Sequence, residues 1–86
     1  MHYRIKLIGE YKTPRKPWLN ITMSGYSFEG EGYAHKFHTI PEAKSWLDHL
    51  EACGQKVFMT WHDESEDAKD FYGSWGEVNR DYLARV

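Results

Sequence analysis

The strongest local constraint in the chain lies between Thr39 and Gly54. Ala43, Trp46, Leu47, Leu50 and Cys53 recur there at helical spacing, the period that gathers apolar groups into one stripe of an α-helix. Thr39-Ile40-Pro41-Glu42 has the T-x-x-E pattern of a capping box, in which the Thr hydroxyl accepts from the third helical N–H and the Glu reaches back. Pro41 is tolerated in a first turn, and Gly54 offers the left-handed stop. The spacing predicts a helix over about 40–53. Such a helix must bury its stripe against another layer. An 86-residue chain has to supply that layer within a single domain, 1–86.

The rest of the chain alternates with period two, the signature of half-buried strands. In 2–11, Tyr3, Ile5, Leu7 and Tyr11 share one side, with Arg4, Lys6 and Glu10 on the other. Thr13-Pro14-Arg15-Lys16-Pro17 then forms a stiff turn, because proline fixes φ and removes a donor. In 18–24, Leu19, Ile21 and Met23 point inward and Trp18, Asn20, Thr22 and Ser24 outward. The connection is short, so these two strands are expected to pair antiparallel. The Gly-rich, aromatic run from Gly25 to Gly32 reads as a turn or bulge, and Tyr33 to His38 as the third strand. Lys56 to His62 is the fourth. Val57, Met59 and Trp61 face one way and Phe58, Thr60 and His62 the other, which points to a central strand. Ser74-Trp75-Gly76-Glu77 repeats the capping-box pattern ahead of Val78, Tyr82 and Val86, so a second helix is expected from about residue 74. A strand over 82–86 is the alternative. The expected fold class is α+β: a small antiparallel sheet in the order β-β-β-α-β-α, covered on one face by one or two helices, its other face open.

Several function classes are disfavoured. The net charge of −2 gives no general reason to bind nucleic acid. The single cysteine, Cys53, rules out an internal disulfide and a Cys-rich zinc module. No apolar run approaches the ~18 residues of a membrane span, and the N-terminus starts directly on strand-like residues. A complete cytoplasmic protein is expected, in the host cytoplasm if the chain is viral. His35 and His38 fall on opposite strand faces, and His49 with Cys53 makes only one pair, so no metal and no cofactor is expected. Glu29 and Glu31 share an open Gly-rich loop without the apolar enclosure that would tune one of them as an acid. No nucleophile, base and orienting group come together in the sequence, and the expected protein is not an enzyme.

Two junctions resemble known families. Gly32-Tyr33-Ala34-His35-Lys36-Phe37, followed by Pro41-Glu42-Ala43 and Leu47 to Leu50, looks like the third strand and second helix of an RNA-recognition motif. In that family strand aromatics stack bases. Here, however, no helix separates the first two strands, and Glu31 stands where the pattern has Lys or Arg. Phe37-His38-Thr39 with Ser45-Trp46-Leu47 and Leu50 is similar to the strand–helix junction of small phage-encoded inhibitors, notably certain anti-CRISPR proteins. That resemblance implies a class of compact proteins that block a host nucleic-acid machine by binding it.

Aromatic residues make up 16% of the chain, more ring area than so small a core needs. Trp18, Tyr26, Phe28, Phe58 and His62 fall outside the inward registers, on the side of Arg4 and Lys6. Aromatic and Arg groups on an open face are typical interface hot spots. Charge divides as well: residues 1–40 carry +3 net and residues 41–86 carry −5. The expected partner surface therefore includes Arg4, Lys6, Arg15, Lys16, Trp18 and Tyr26, together with the acidic Asp63, Glu64, Glu66 and Asp67. The expected function is an inhibitor or adaptor that binds a host protein acting on nucleic acid, its acidic stretch imitating phosphates. A single-stranded nucleic-acid-binding module using the open sheet face is the alternative.

Overall fold

The computed structural model describes residues 1–8, 16–63 and 74–85. The strands are β1 (His2–Leu7), β2 (Trp18–Thr22), β3 (Gly25–Glu29), β4 (Val57–Asp63) and β5 (Ser74–Glu77). They form one sheet in the order β3-β2-β1-β4-β5, and every neighbouring pair is antiparallel. The helices are α1 (Ile40–Ala52) and α2 (Arg80–Leu83), with a 3₁₀ turn at Glu31–Tyr33. The class is α+β, as the pattern of the sequence implies. No described helix is long and apolar enough to cross a membrane.

Register sorts the side chains. Tyr3 pairs with Trp61, Ile5 with Met59 and Leu7 with Val57, so these share the face that α1 covers. Ala43, Leu47 and Leu50 of α1 are buried on Ile5, Leu19, Val57 and Met59. Thr39 is the N-cap in an extended conformation, but its side chain makes no cap hydrogen bond, contrary to the expected capping box. Ala43 N makes the first i→i−4 bond of the helix, donating to Thr39 O at 3.3 Å. Gly54 ends the helix at φ 88°, the left-handed conformation glycine adopts at least cost. Cys53, expected on the core side of that helix end, is exposed.

Two strand assignments shift. The third strand is not Tyr33–His38 but Gly25–Glu29, which hairpins back on β2 from Trp18–Glu29 to Thr22–Gly25. Met23, expected inward, sits fully exposed in that turn. The 34–37 segment has a different job. β1 and β2 meet at Lys6–Trp18, where Leu7 N also donates to Pro17 O, and then diverge. Residues 34–37 fill the opening. Tyr3 and Phe37 exchange backbone hydrogen bonds of 2.7 and 2.8 Å, and His35 N donates to Leu19 O at 2.8 Å. Phe37 is buried in the core there.

The second correction concerns 74–77, which forms a strand on the free edge of β4 and not the start of a helix. Gly76 explains the choice. A Cβ at this position would stand 3.0 Å from Trp61 Nε1, so the glycine leaves room for the cross-strand indole. The helix begins later and is capped by Asn79, whose side chain accepts from Asp81 N at 2.8 Å. The strand alternative over 82–86 is not taken up either, since Arg80–Leu83 is helical.

Candidate binding cleft

Beyond the N-terminal end of α1, the core face of the sheet is left only partly covered. Ile40 opens the helix, and next to it the Tyr3–Trp61 cross-strand pair is half-buried. The chain returns on the far side as β5 and α2. Val78 N donates to Met59 O at 2.8 Å, and Val78 and Leu83 are buried in the core. Arg80 fastens the same turn: Nη2 donates to Val57 O at 2.6 Å and Nη1 lies 2.7 Å from Glu51 Oε1. With both flanks anchored, a cleft of about 390 Å³ remains between them. Its walls are Met1, Tyr3, Ile40, Trp61, Val78 and Tyr82, with Glu77 and Asn79 at the rim of β5 and α2. The lining is mostly apolar, and the volume falls in the range of small-ligand sites. Met1 and Tyr82 are 70% and 53% exposed, so apolar and aromatic surface reaches solvent here.

The opposite face of the sheet, expected to be open, is closed along its centre. Arg4, Lys6, Trp18, Phe58 and His62 share it, as their alternation implies. Yet Trp18 is 6% exposed, His2 5%, His62 8% and Thr60 0%. The rings of His2 and His62 stack at 5.0 Å, and Trp18 meets His62 edge-on at 5.9 Å. Arg4 Nε donates to His2 Nε2 at 2.9 Å, and Thr60 Oγ1 shares a hydrogen with His62 Nε2 at 2.8 Å. The Arg4 guanidinium and the Lys6 ammonium lie 5.7 and 5.1 Å from the Trp18 ring centroid, within cation–π range. Trp18 is thus a packed ring beneath two cations and not the free surface ring that its outward register suggests.

The other expected site residues scatter. Lys16 is exposed and lies 3.7 Å from Glu29. Tyr26, expected on the Arg4 and Lys6 side, is on the core face, because its register partner is Ile21; it meets Phe28 and Trp46 edge-on. Phe28 is on that face too, opposite Leu19. Asp63 ends β4 half-buried, opposite Ser74. Arg15, Glu64, Glu66 and Asp67 lie outside the described residues. His49 Nε2 and Cys53 Sγ do face each other, at 4.0 Å. Among the described residues no three His, Cys, Asp or Glu side chains gather as metal ligands.

Sequence reasoning missed the cleft. Tyr3, Trp61 and Tyr82 read as inward-facing; Tyr3 and Trp61 are half-buried on the core face, but the helix stops short of them, and Tyr82 is exposed. The available signal was the count of inward aromatics against a single 13-residue helix able to cover them. Compared with family models, curated proteins and solved structures, the chain matches none.

Proposed function

We propose that the chain is a non-enzymatic binding protein of the inhibitor or adaptor type, and that it seats an apolar or aromatic group of a protein partner in the cleft between β1, β4 and α2. The observation that carries this reading is the cleft itself: Met1, Tyr3, Trp61 and Tyr82 present aromatic and thioether surface around a preformed hollow. Trp, Tyr and Met are enriched at the centres of protein interfaces. A target that acts on nucleic acid fits the division of charge, since the acidic C-terminal half would be drawn to a basic groove. The nucleic-acid alternative loses its stacking platform with Trp18 packed below Arg4 and Lys6.

Capture from the source organism with the tagged full chain tests the proposal. Tyr82→Asp is expected to weaken retention of the partner by roughly 30-fold, the scale of one hot-spot side chain. Tyr33→Asp, at another exposed tyrosine, in the 3₁₀ turn, is expected to leave it unchanged. Retention of the partner by Tyr82→Asp at the wild-type level overturns the assignment of the cleft.

A further inference from the structure

The sheet ends on β3, and that edge is open. The strand order places Gly25–Glu29 outermost, with β2 on one side only. Among the described residues its backbone hydrogen bonds go to β2 alone, which leaves an alternate set of N–H and C=O groups pointing outward. Edge strands that stay single are commonly blunted by Lys, Pro or a bulge. Gly25-Tyr26-Ser27-Phe28-Glu29 contains neither Lys nor Pro, and its register with β2 runs unbroken from Trp18–Glu29 to Thr22–Gly25.

Side chains add an apolar fringe to this edge. Tyr26 and Phe28 stand half-buried on the core face, edge-on to each other at 5.9 Å, and Tyr26 meets the half-buried Trp46 of α1 at 6.0 Å. Ser27 and Glu29 occupy the other face, where Glu29 lies 3.7 Å from Lys16. A second copy complements this pattern when a two-fold axis perpendicular to the sheet passes through Ser27. Antiparallel pairing then sets Tyr26 opposite the second copy's Phe28, and Phe28 opposite its Tyr26, on one continuous core face. Gly25 stands opposite Glu29, so no like charges meet. The two Glu29 carboxylates sit four residues apart along the strands, ~14 Å, beyond the Debye length of ~8 Å in physiological salt. A register shifted by one residue sets each ring opposite a residue of the polar face, and a shift by two pairs fewer residues. We propose that β3 pairs with β3 of a second copy about Ser27, joining the two sheets edge to edge. The contact is a five-residue strand edge with its fringe of rings, which makes a weak, reversible dimer. The cleft is lined from β1 and β4, away from this edge, so each copy keeps its own.

Sedimentation equilibrium of the full chain, raised into the millimolar range, is expected to show a reversible monomer–dimer equilibrium. Ser27→Lys and Ser27→Glu each set like charges face to face at the axis, and each is expected to weaken the dimer about 5-fold, the effect of one opposed cross-strand pair. Mixed in equal amounts, the two variants are expected to pair at least as tightly as the wild type, because opposite charges then meet. Ser27 lies outside the core cluster, and circular dichroism is expected to show both variants folded. Without any substitution, amide exchange along β3 is expected to slow as the chain is concentrated. A wild-type chain that stays monomeric throughout the series overturns the inference, and so does a dimer whose amide protection falls elsewhere than on β3. A dimer left equally tight by either variant, or not restored by the mixture, overturns it as well.

Discussion

Phe37→Ala is expected to lower the free energy of unfolding by about 3–5 kcal/mol, the cost of deleting a buried aromatic ring and leaving its cavity. A domain of this length has roughly 4–13 kcal/mol in total, so the variant is expected to lose a large share of its stability. The cause is specific to the way the sheet divides. β1 and β2 pair only near Lys6 and Trp18, and the wedge between them is closed by Phe37 and its two backbone hydrogen bonds to Tyr3. Phe37→Leu keeps an apolar plug and is expected to lose only about 1–2 kcal/mol. Urea denaturation followed by circular dichroism measures both. A Phe37→Ala variant as stable as the wild type would show that residues 34–37 do not hold the two strands together.

The second large effect lies on the opposite face. Trp18→Ala is expected to cost about 3–5 kcal/mol, because the ring is packed under the Arg4 and Lys6 cations and against the His62 edge. Trp18→Phe is expected to recover more than half of the loss. Partner capture per folded molecule is expected to be unchanged in Trp18→Phe. The opposite pattern, with stability unchanged and capture lost, would make Trp18 an interface residue and move the binding surface to that face.

What the sequence disclosed follows the range of the interactions involved. α1 was legible because its determinants are local: apolar spacing from Ala43 to Leu50, Pro41 in the first turn and Gly54 at the stop. β1 and β4 were legible because alternation is local too, and it placed Val57, Met59 and Trp61 on one side correctly. The third strand was displaced because Gly25, Gly30 and Gly32 mask the alternation of Tyr26 and Phe28, while Tyr33 to Phe37 alternates without a strand to pair along its length. The start of β5 imitates a helix cap, and only the cross-strand approach of Trp61 to Gly76 shows why it is a strand. For the site, alternation gave the face of Trp18 but not its burial. That burial depends on His2 and His62, which are 60 positions apart in sequence and stacked in space. The cleft escaped for the same reason, since it exists only where α1 begins and α2 returns.

A protein partner is expected to cover the cleft formed by Tyr3, Trp61 and Tyr82. The molecule carries its own matched controls: Met1 and Tyr82 border the cleft, while Met23 and Tyr33 are exposed away from it, in the β2–β3 turn and the 3₁₀ turn. Hydroxyl-radical footprinting of the chain, free and bound to its captured partner, reads all four side chains in one experiment. Oxidation of Met1 and Tyr82 is expected to fall severalfold on binding, with Met23 and Tyr33 unchanged. Protection of Met23 and Tyr33 with Met1 and Tyr82 still oxidised at the free rate would place the partner away from the cleft.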